Sequence, residues 1–185
     1  MFKIEIDQEI HLELIHPTHA EDTFEIVTRN RELFGRWLDW VEATKSAEDT
    51  EAFIDYALKS YAKHKELNCM IFFQNRLVGN IGLLGIKKRY GVKVGNLGYW
   101  LDEKAHRKGI MQRAVKKMVE IGFTIYNLEK ITLKCAIENS RSCNVAKSLG
   151  FTHEGRHRAD IRVGGVLMDV DSYAILKEDW IDDEL

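Results

Sequence analysis

The residues best suited to chemistry lie between Leu97 and Met118, in LGYWLDEKAHRKGIMQRAVKKM. An apolar run, Leu97-Gly98-Tyr99-Trp100-Leu101, meets the charged patch Asp102-Glu103-Lys104, and His106-Arg107-Lys108 then lead to a single glycine, Gly109. From there Ile110, Ala114, Val115, Met118, Ile121 and Ile125 recur at helical spacing, backed by Arg113, Lys116 and Lys117. The pattern predicts a strand, a basic turn and a helix. The start of a helix has unpaired N–H groups and about half a positive charge, which suits a phosphate. Glycine lets backbone approach a ligand closely, and the three basic residues before it add donors. An ordinary strand-to-helix turn with solvated Lys and Arg would carry the same residues. Neither G-x-x-x-x-G-K-S/T nor G-x-G-x-x-G is present, so this is not a P-loop or a Rossmann fingerprint.

Other reactive side chains have two readings each. Ser140 and Ser142 follow Asn139 at the start of a short amphipathic run, where all three suit helix capping or a turn. Cys135 sits in the β-rich segment Lys130 to Ile137, an environment typical of core cysteines. Trp37, Trp40 and Tyr99 fit a core equally with the wall of a ligand site; two tryptophans in a glycine-interrupted segment would also suit a lid. Asp160 and Glu154 are acids in predicted strands near the C-terminus. His16, His19, His64, His153 and His157 lack metal-ligand spacing, so no metal site is expected.

Composition narrows the class. At 185 residues the chain fits one domain over 1–185 with a substantial core. A net charge of −2 with 45% apolar and 30% charged residues excludes a general nucleic-acid binder. Basic residues cluster locally, at Lys87-Lys88-Arg89, Lys104 to Lys108 and Arg156-His157-Arg158, which suits one small anion better than a polyanion. Three cysteines without paired spacing predict free thiols in a reducing, cytoplasmic setting. No apolar run reaches the ~18 residues of a membrane span, and MFKIEIDQEI carries acids where a signal peptide would be apolar.

Taken in order, the chain predicts a first strand at Ile10 to Ile15 and a helix opened by Pro17 and capped by Thr18. After Gly35, a second helix is capped by Ser46 with Asp49. A hairpin follows, Cys69 to Phe73 and Leu77 to Ile86 around Gln74-Asn75-Arg76, and Tyr90 to Asn96 then connects to the strand at Leu97. Past the central helix come the strand through Cys135, the short helix ending near Gly150, and two strands around Gly164-Gly165. The tail EDWIDDEL is expected to be solvated. Helices alternating with strands imply an α/β (α+β) fold, a mixed sheet covered by helices.

Three blocks resemble the GNAT superfamily of N-acetyltransferases, and within it the RimJ/RimL-type ribosomal-protein N-terminal acetyltransferases. Gly98 to Leu101 with His106-Arg107-Lys108-Gly109-Ile110-Met111 is similar to the acetyl-CoA motif Q/R-x-x-G-x-G/A. Asn139 to Ser142 with Val145-Ala146 and Leu149-Gly150-Phe151 is similar to N-x-x-S-x-x-V-A-x-x-x-G-F. Glu154-Gly155 leads into a similar closing hairpin, and Leu33 to Trp40 resembles the RimL type. The chain departs from the pattern at His106 and Met111. It also has Asn96 where many relatives carry Glu, and Ala146 where many carry a Tyr acid. Backbone N–H groups do not depend on side chains, so phosphate binding survives with Met111 pointing away.

The resemblance implies a GNAT fold with a mixed, mostly antiparallel sheet of six to seven strands, splayed at the acetyl-CoA site. The pantetheine arm would lie between the strands of Trp100-Leu101 and Cys135, and the pyrophosphate on the N–H groups of Lys108 to Met111. A backbone N–H near Leu101 would polarise the thioester. Ser142 would protonate the departing thiolate, Asn139 would hold the cofactor arm, and Trp37, Trp40 and Tyr99 would face the acceptor. Asp160, with Glu154 second, is the candidate base or amine anchor. An α-amine titrates near ~7.7–8.0 and costs about 1 kcal/mol to deprotonate at neutral pH, against about 4–5 kcal/mol for a lysine near ~10.4. Lacking a Glu at Asn96, the chain favours an α-amine acceptor, a protein N-terminus, in an enzyme expected to be a homodimer. A small amine such as a polyamine or antibiotic, or a silent acyl-CoA-binding module, are the other readings.

Overall fold

The alternation around Ile10 and Leu12 does form a strand, Ile10–Leu14, but it is the second of eight. In a computed structural model that describes residues 3–182, Lys3–Glu5 (β1) pairs antiparallel with Ile10–Leu14 (β2). The others are Leu67–Phe73 (β3), Arg76–Arg89 (β4), Val92–Leu101 (β5), Lys130–Ala136 (β6), Thr152–Val163 (β7) and Val166–Leu176 (β8). They form one sheet in the order β1-β2-β3-β4-β5-β6-β8-β7. Only β5 and β6 run parallel. The strand beyond the expected number is β1, whose three residues, Lys-Ile-Glu, are too few to show a period.

Helices cover both faces. Ala20–Arg29 (α1), Arg31–Phe34 (α2) and Ala47–Ala62 (α3) lie on one, where Ile26, Val27, Ile54 and Ala57 bury against Met70 and Trp100. Ile110–Thr124 (α4) and Ser140–Ser148 (α5) lie on the other, where Ile110, Val115, Met118 and Cys143 meet Ile81, Leu83, Leu97 and Ile131. The expected Ser46–Asp49 box starts α3, with the Ser46 N–H donating to Asp49 Oδ2 at 3.0 Å. Thr18 does not cap α1: the His16 ring accepts from the Thr18 N–H at 3.3 Å, and a 3-10 turn, Pro17–His19, precedes the helix. The tail is solvated only in part: in Lys177–Asp182 (α6) Glu178 and Asp179 are exposed, while Trp180 is buried against Phe123, ring centroids 6.4 Å apart. Residues 183–185 lie outside the described residues.

Tyr90 to Asn96 is strand and turn rather than connection. Tyr90 and Gly91, both at positive φ, make a tight turn, and β5 begins at Val92. Its internal glycines make room: a Cβ on Gly95 would lie 2.9 Å from Leu128, and one on Gly98 would lie 2.9 Å from Leu84. Among the described residues no helix is long and apolar enough to cross a membrane.

The end of β5 is tied down by a buried acid. Asp102 accepts from Arg29 Nη2 at 2.6 Å and Asn30 Nδ2 at 2.9 Å, while its own N–H donates to Val78 O at 2.8 Å. Asn30 Oδ1 in turn accepts from the Glu103 N–H at 3.0 Å. Burial alone would raise the Asp102 pKa; hydrogen bonds from Arg29 and Asn30 outweigh it and hold the carboxyl below its usual range. A depressed value contributes stability that is complete above the unfolded pKa near ~3.9 and is lost as pH falls through the folded one. Asp102→Asn is therefore expected to lower stability by about 1–3 kcal/mol at neutral pH. Its urea midpoint should also fall less than the wild type's below about pH 4.

Candidate active site

β5 and β6 are hydrogen-bonded for only part of their length. Val94 to Leu97 pair with Lys130 to Leu133; beyond that, β5 continues beside β4 to Leu101, and β6 beside β8 to Ala136. A cleft of about 580 Å³ opens between them, lined from both faces of the sheet. The Asp102 N–H bonds toward β4, so by strand alternation Tyr99 and Leu101 turn their N–H and C=O groups into the cleft. The Leu101 carbonyl accepts from His106 Nε2 at 3.0 Å. The Leu101 N–H and both Tyr99 groups are left without a β6 partner and could pair with an extended ligand chain as with an added strand.

At one end of the cleft lies the start of α4. Gly109 is its N-cap, at φ 67°, which a side chain disfavours; no side chain caps the helix and its first turn has no acid. The N–H groups of Ile110, Met111 and Gln112 are thus available to an anion. Ile110 and Met111 bury their side chains in the core, 1% and 8% exposed, so Met111 does point away. Arg107, also at positive φ, and Arg141 flank the mouth. Arg141 donates to His106 Nδ1 at 3.1 Å, which leaves the proton of a neutral ring on Nε2, facing Leu101. The Lys108 side chain goes elsewhere: its ammonium lies 5.1 Å from the centroid of the Phe73 ring, outside the cleft.

At the other end the two readings of Asn139 and Ser142 separate. Asn139 Oδ1 accepts from the Ser142 N–H at 3.3 Å, so Asn139 caps α5. The Ser142 hydroxyl lies 3.0 Å from the Tyr99 hydroxyl in the cleft. Burial pushes the Tyr99 phenol well above its usual range and keeps it protonated. Cys135 also lines the cleft, its Sγ 2.9 Å from Cys143 Sγ. Trp37 forms a wall with Leu33, Phe34 and Leu38. Trp100 packs beneath on Phe34, centroids 5.5 Å apart.

Besides Lys108, the expected residues Trp40, Asp160 and Glu154 lie outside this lining. Trp40 sits on the 3-10 turn Asp39–Val41 and is 37% exposed; the helical segment stops at Gly35, so Trp40 leaves the face that carries Trp37. Asp160 is exposed on β7 with its carboxylate 2.9 Å from Lys134 Nζ, and Lys134 holds it below the usual range, which makes it a weak base. Its neighbour Ile161 faces the cleft instead, and Glu154 is paired to Lys130. No Asp or Glu lines the cleft among the described residues, and none of their His, Cys, Asp and Glu groups could hold a metal. Arg141 and the Tyr99–Ser142 bond were not foreseen. The first has a signal in its place between two serines at a helix start, while the second joins residues 43 apart and has none.

A long slot with strand-like backbone groups, an uncapped helix start at one end and a hydroxyl pair at the other fits a phosphate-bearing pantetheine thioester. That is the architecture of an acetyl-CoA-dependent N-acetyltransferase. Residues 9–152 match the family model described as acetyltransferase (GNAT) domain, and the chain belongs to that family. It is 27% identical to the putative ribosomal N-acetyltransferase YdaF of Bacillus subtilis, over 97% of this chain and 98% of the relative. It is 25% identical to the ribosomal-protein-serine acetyltransferase of Escherichia coli, over 92% and 94%. Its fold superposes with a TM-score of 0.91 on a RimL ribosomal α-N-protein acetyltransferase, 23% identical over 96% and 99%, solved with CoA in disulfide linkage to a cysteine. Gln112→Glu would put a carboxylate beside the open N–H groups. It is expected to raise the Kd for CoA at least fivefold by calorimetry, about 1 kcal/mol, with the melting temperature little changed.

Proposed function

We propose that this enzyme acetylates the N-terminal α-amine of a protein, by direct attack of the amine on acetyl-CoA. The observation that carries the reading is the absence of any carboxylate among the described residues lining the cleft. A lysine side chain would need a strong base, whereas a terminal amine is already partly neutral at physiological pH and needs only water to take its proton. The names of the relatives, a ribosomal-protein-serine acetyltransferase and a putative ribosomal N-acetyltransferase, support a ribosomal protein as acceptor. A polyamine fits less well: Arg107 and Arg141, which line the cleft with no carboxylate beside them among the described residues of its lining, are cations and would repel it.

In this reading the bound thioester supplies the acetyl group. The Leu101 N–H donates to its carbonyl oxygen, where negative charge develops. The Ser142 hydroxyl protonates the departing sulfur and is held for this by Tyr99, whose raised pKa keeps it a hydrogen-bond donor. Trp37 with its apolar neighbours walls the acceptor side. Asp160, occupied by Lys134, acts at the rim rather than as the base.

Acetyl-CoA-dependent thiol release should be rapid with peptides starting in Ser or Ala, and near background with the same peptides blocked at the α-amine and with spermidine. Equal turnover of blocked peptides would refute an α-amine acceptor, and CoA binding without turnover on any amine would refute catalysis. Ser142→Ala is expected to lower kcat at least about tenfold while the KM for acetyl-CoA changes little; unchanged kcat removes Ser142 from the acid role.

A further inference from the structure

We propose that Cys135 and Cys143 form a dithiol that reduces disulfides of the cofactor's own thiol, clearing them from the cleft instead of being trapped by them. The inference rests on CoA occupying the cleft as described above. Cys135 comes from β6 at the point where it has parted from β5, and Cys143 from the first turns of α5, next in sequence to Ser142. Their sulfurs are 2.9 Å apart, beyond a disulfide bond of about 2.05 Å but near enough to close by small side-chain rotations. Cys135 lines the cleft, so a ligand in the slot reaches it, while Cys143 lies behind it. The third thiol, Cys69, has no such partner among the described residues; it is 1% exposed within β3, and burial pushes it up to about 12.

The placement assigns each cysteine a step. The cofactor sulfur must approach Ser142 to receive a proton, and Cys143 is the adjacent residue. A CoA disulfide, CoA–S–S–R, entering the same slot presents its S–S bond to Cys135. The Cys135 thiol gives up its proton to water and attacks the CoA sulfur; a Cys135–S–S–CoA bond forms, and R–S leaves and takes up a proton. Cys143 then attacks Cys135 Sγ, the bond to CoA breaks, and CoASH leaves with the proton that Cys143 released. The sum is two protein thiols and CoA–S–S–R giving one protein disulfide, CoASH and RSH, with two electrons passing from protein to ligand. The second step is intramolecular between atoms already in contact, so it outruns any external thiol. A cleft with Cys135 alone would stop at the first step, with CoA bonded in its own site. Attack requires thiolate, and burial pushes Cys135 well above the usual thiol range, so exchange accelerates as pH rises.

The test is intact-mass spectrometry of the full chain incubated with symmetrical CoA disulfide at neutral and mildly alkaline pH. The wild type should lose two hydrogens, release two CoASH and show a Cys135–Cys143 cross-linked peptide after digestion. Cys143→Ser and Cys143→Ala should instead retain one CoA adduct, removable by dithiothreitol. Cys135→Ala should gain neither mark, and Cys69→Ala should behave as wild type. Saturating acetyl-CoA should slow the wild-type reaction at least tenfold. A wild type that accumulates the CoA adduct, or one that stays fully reduced, overturns the proposal. Calorimetric titration with CoA separates the two readings: binding without thiol exchange sinks only the dithiol, whereas no binding sinks the cofactor site as well.

Discussion

The site depends on a buried carboxylate that forms no part of it. Asp102 ends β5 and is held by Arg29 and Asn30 from the helical layer on one face of the sheet, while the loop after it crosses to the other face and starts α4. Removing a charge from water is costly unless donors replace the solvent. Here the donors come from a segment more than seventy residues away, so β5, the α1–α2 junction and the loop are fixed together. With that end anchored to β4 and α1, β5 does not follow β6, and the gap between them is kept. The Gly109 turn is then set at the mouth of the gap.

Charge is distributed along the cleft to match. Cations and open N–H groups gather at the α4 end, where Arg107 and Arg141 stand near Gly109. Elsewhere the lining carries the Tyr99–Ser142 hydroxyl pair and the amides of Asn139 and Asn144, and its lysine, Lys134, is paired with Asp160. Carboxylates near the rim are neutralised by partners, Asp160 by Lys134 and Glu154 by Lys130. An anion is thus drawn to one end and a neutral amine tolerated at the other, without a strong base.

What was legible in the sequence was local. Gly109 between an apolar run and a 3.6-residue period announced its turn, Ser46 with Asp49 announced a capped helix, and Gly164-Gly165 announced a hairpin. What was not legible depended on partners distant in the chain. Lys134 removes Asp160 from the role of base, Phe73 draws Lys108 out of the cleft, and Tyr99 finds Ser142. Glycine misled in one place, since Gly95 read as part of a connection but serves close packing inside β5. His16 displaced Thr18 as a cap because a 3-10 turn came first. The register break at Gly35 turned Trp40 outward, which the spacing of the two tryptophans does not reveal.

The cleft is lined from both faces of the sheet, with Phe34 and Trp37 on one side and Ile110 and Val145 on the other. In the proposed reading the cofactor and the acceptor would therefore enter from opposite faces of the sheet. Neither would then block the other's doorway. A tight inhibitor would be a single molecule threaded through, with a nucleotide outside one doorway and a peptide outside the other.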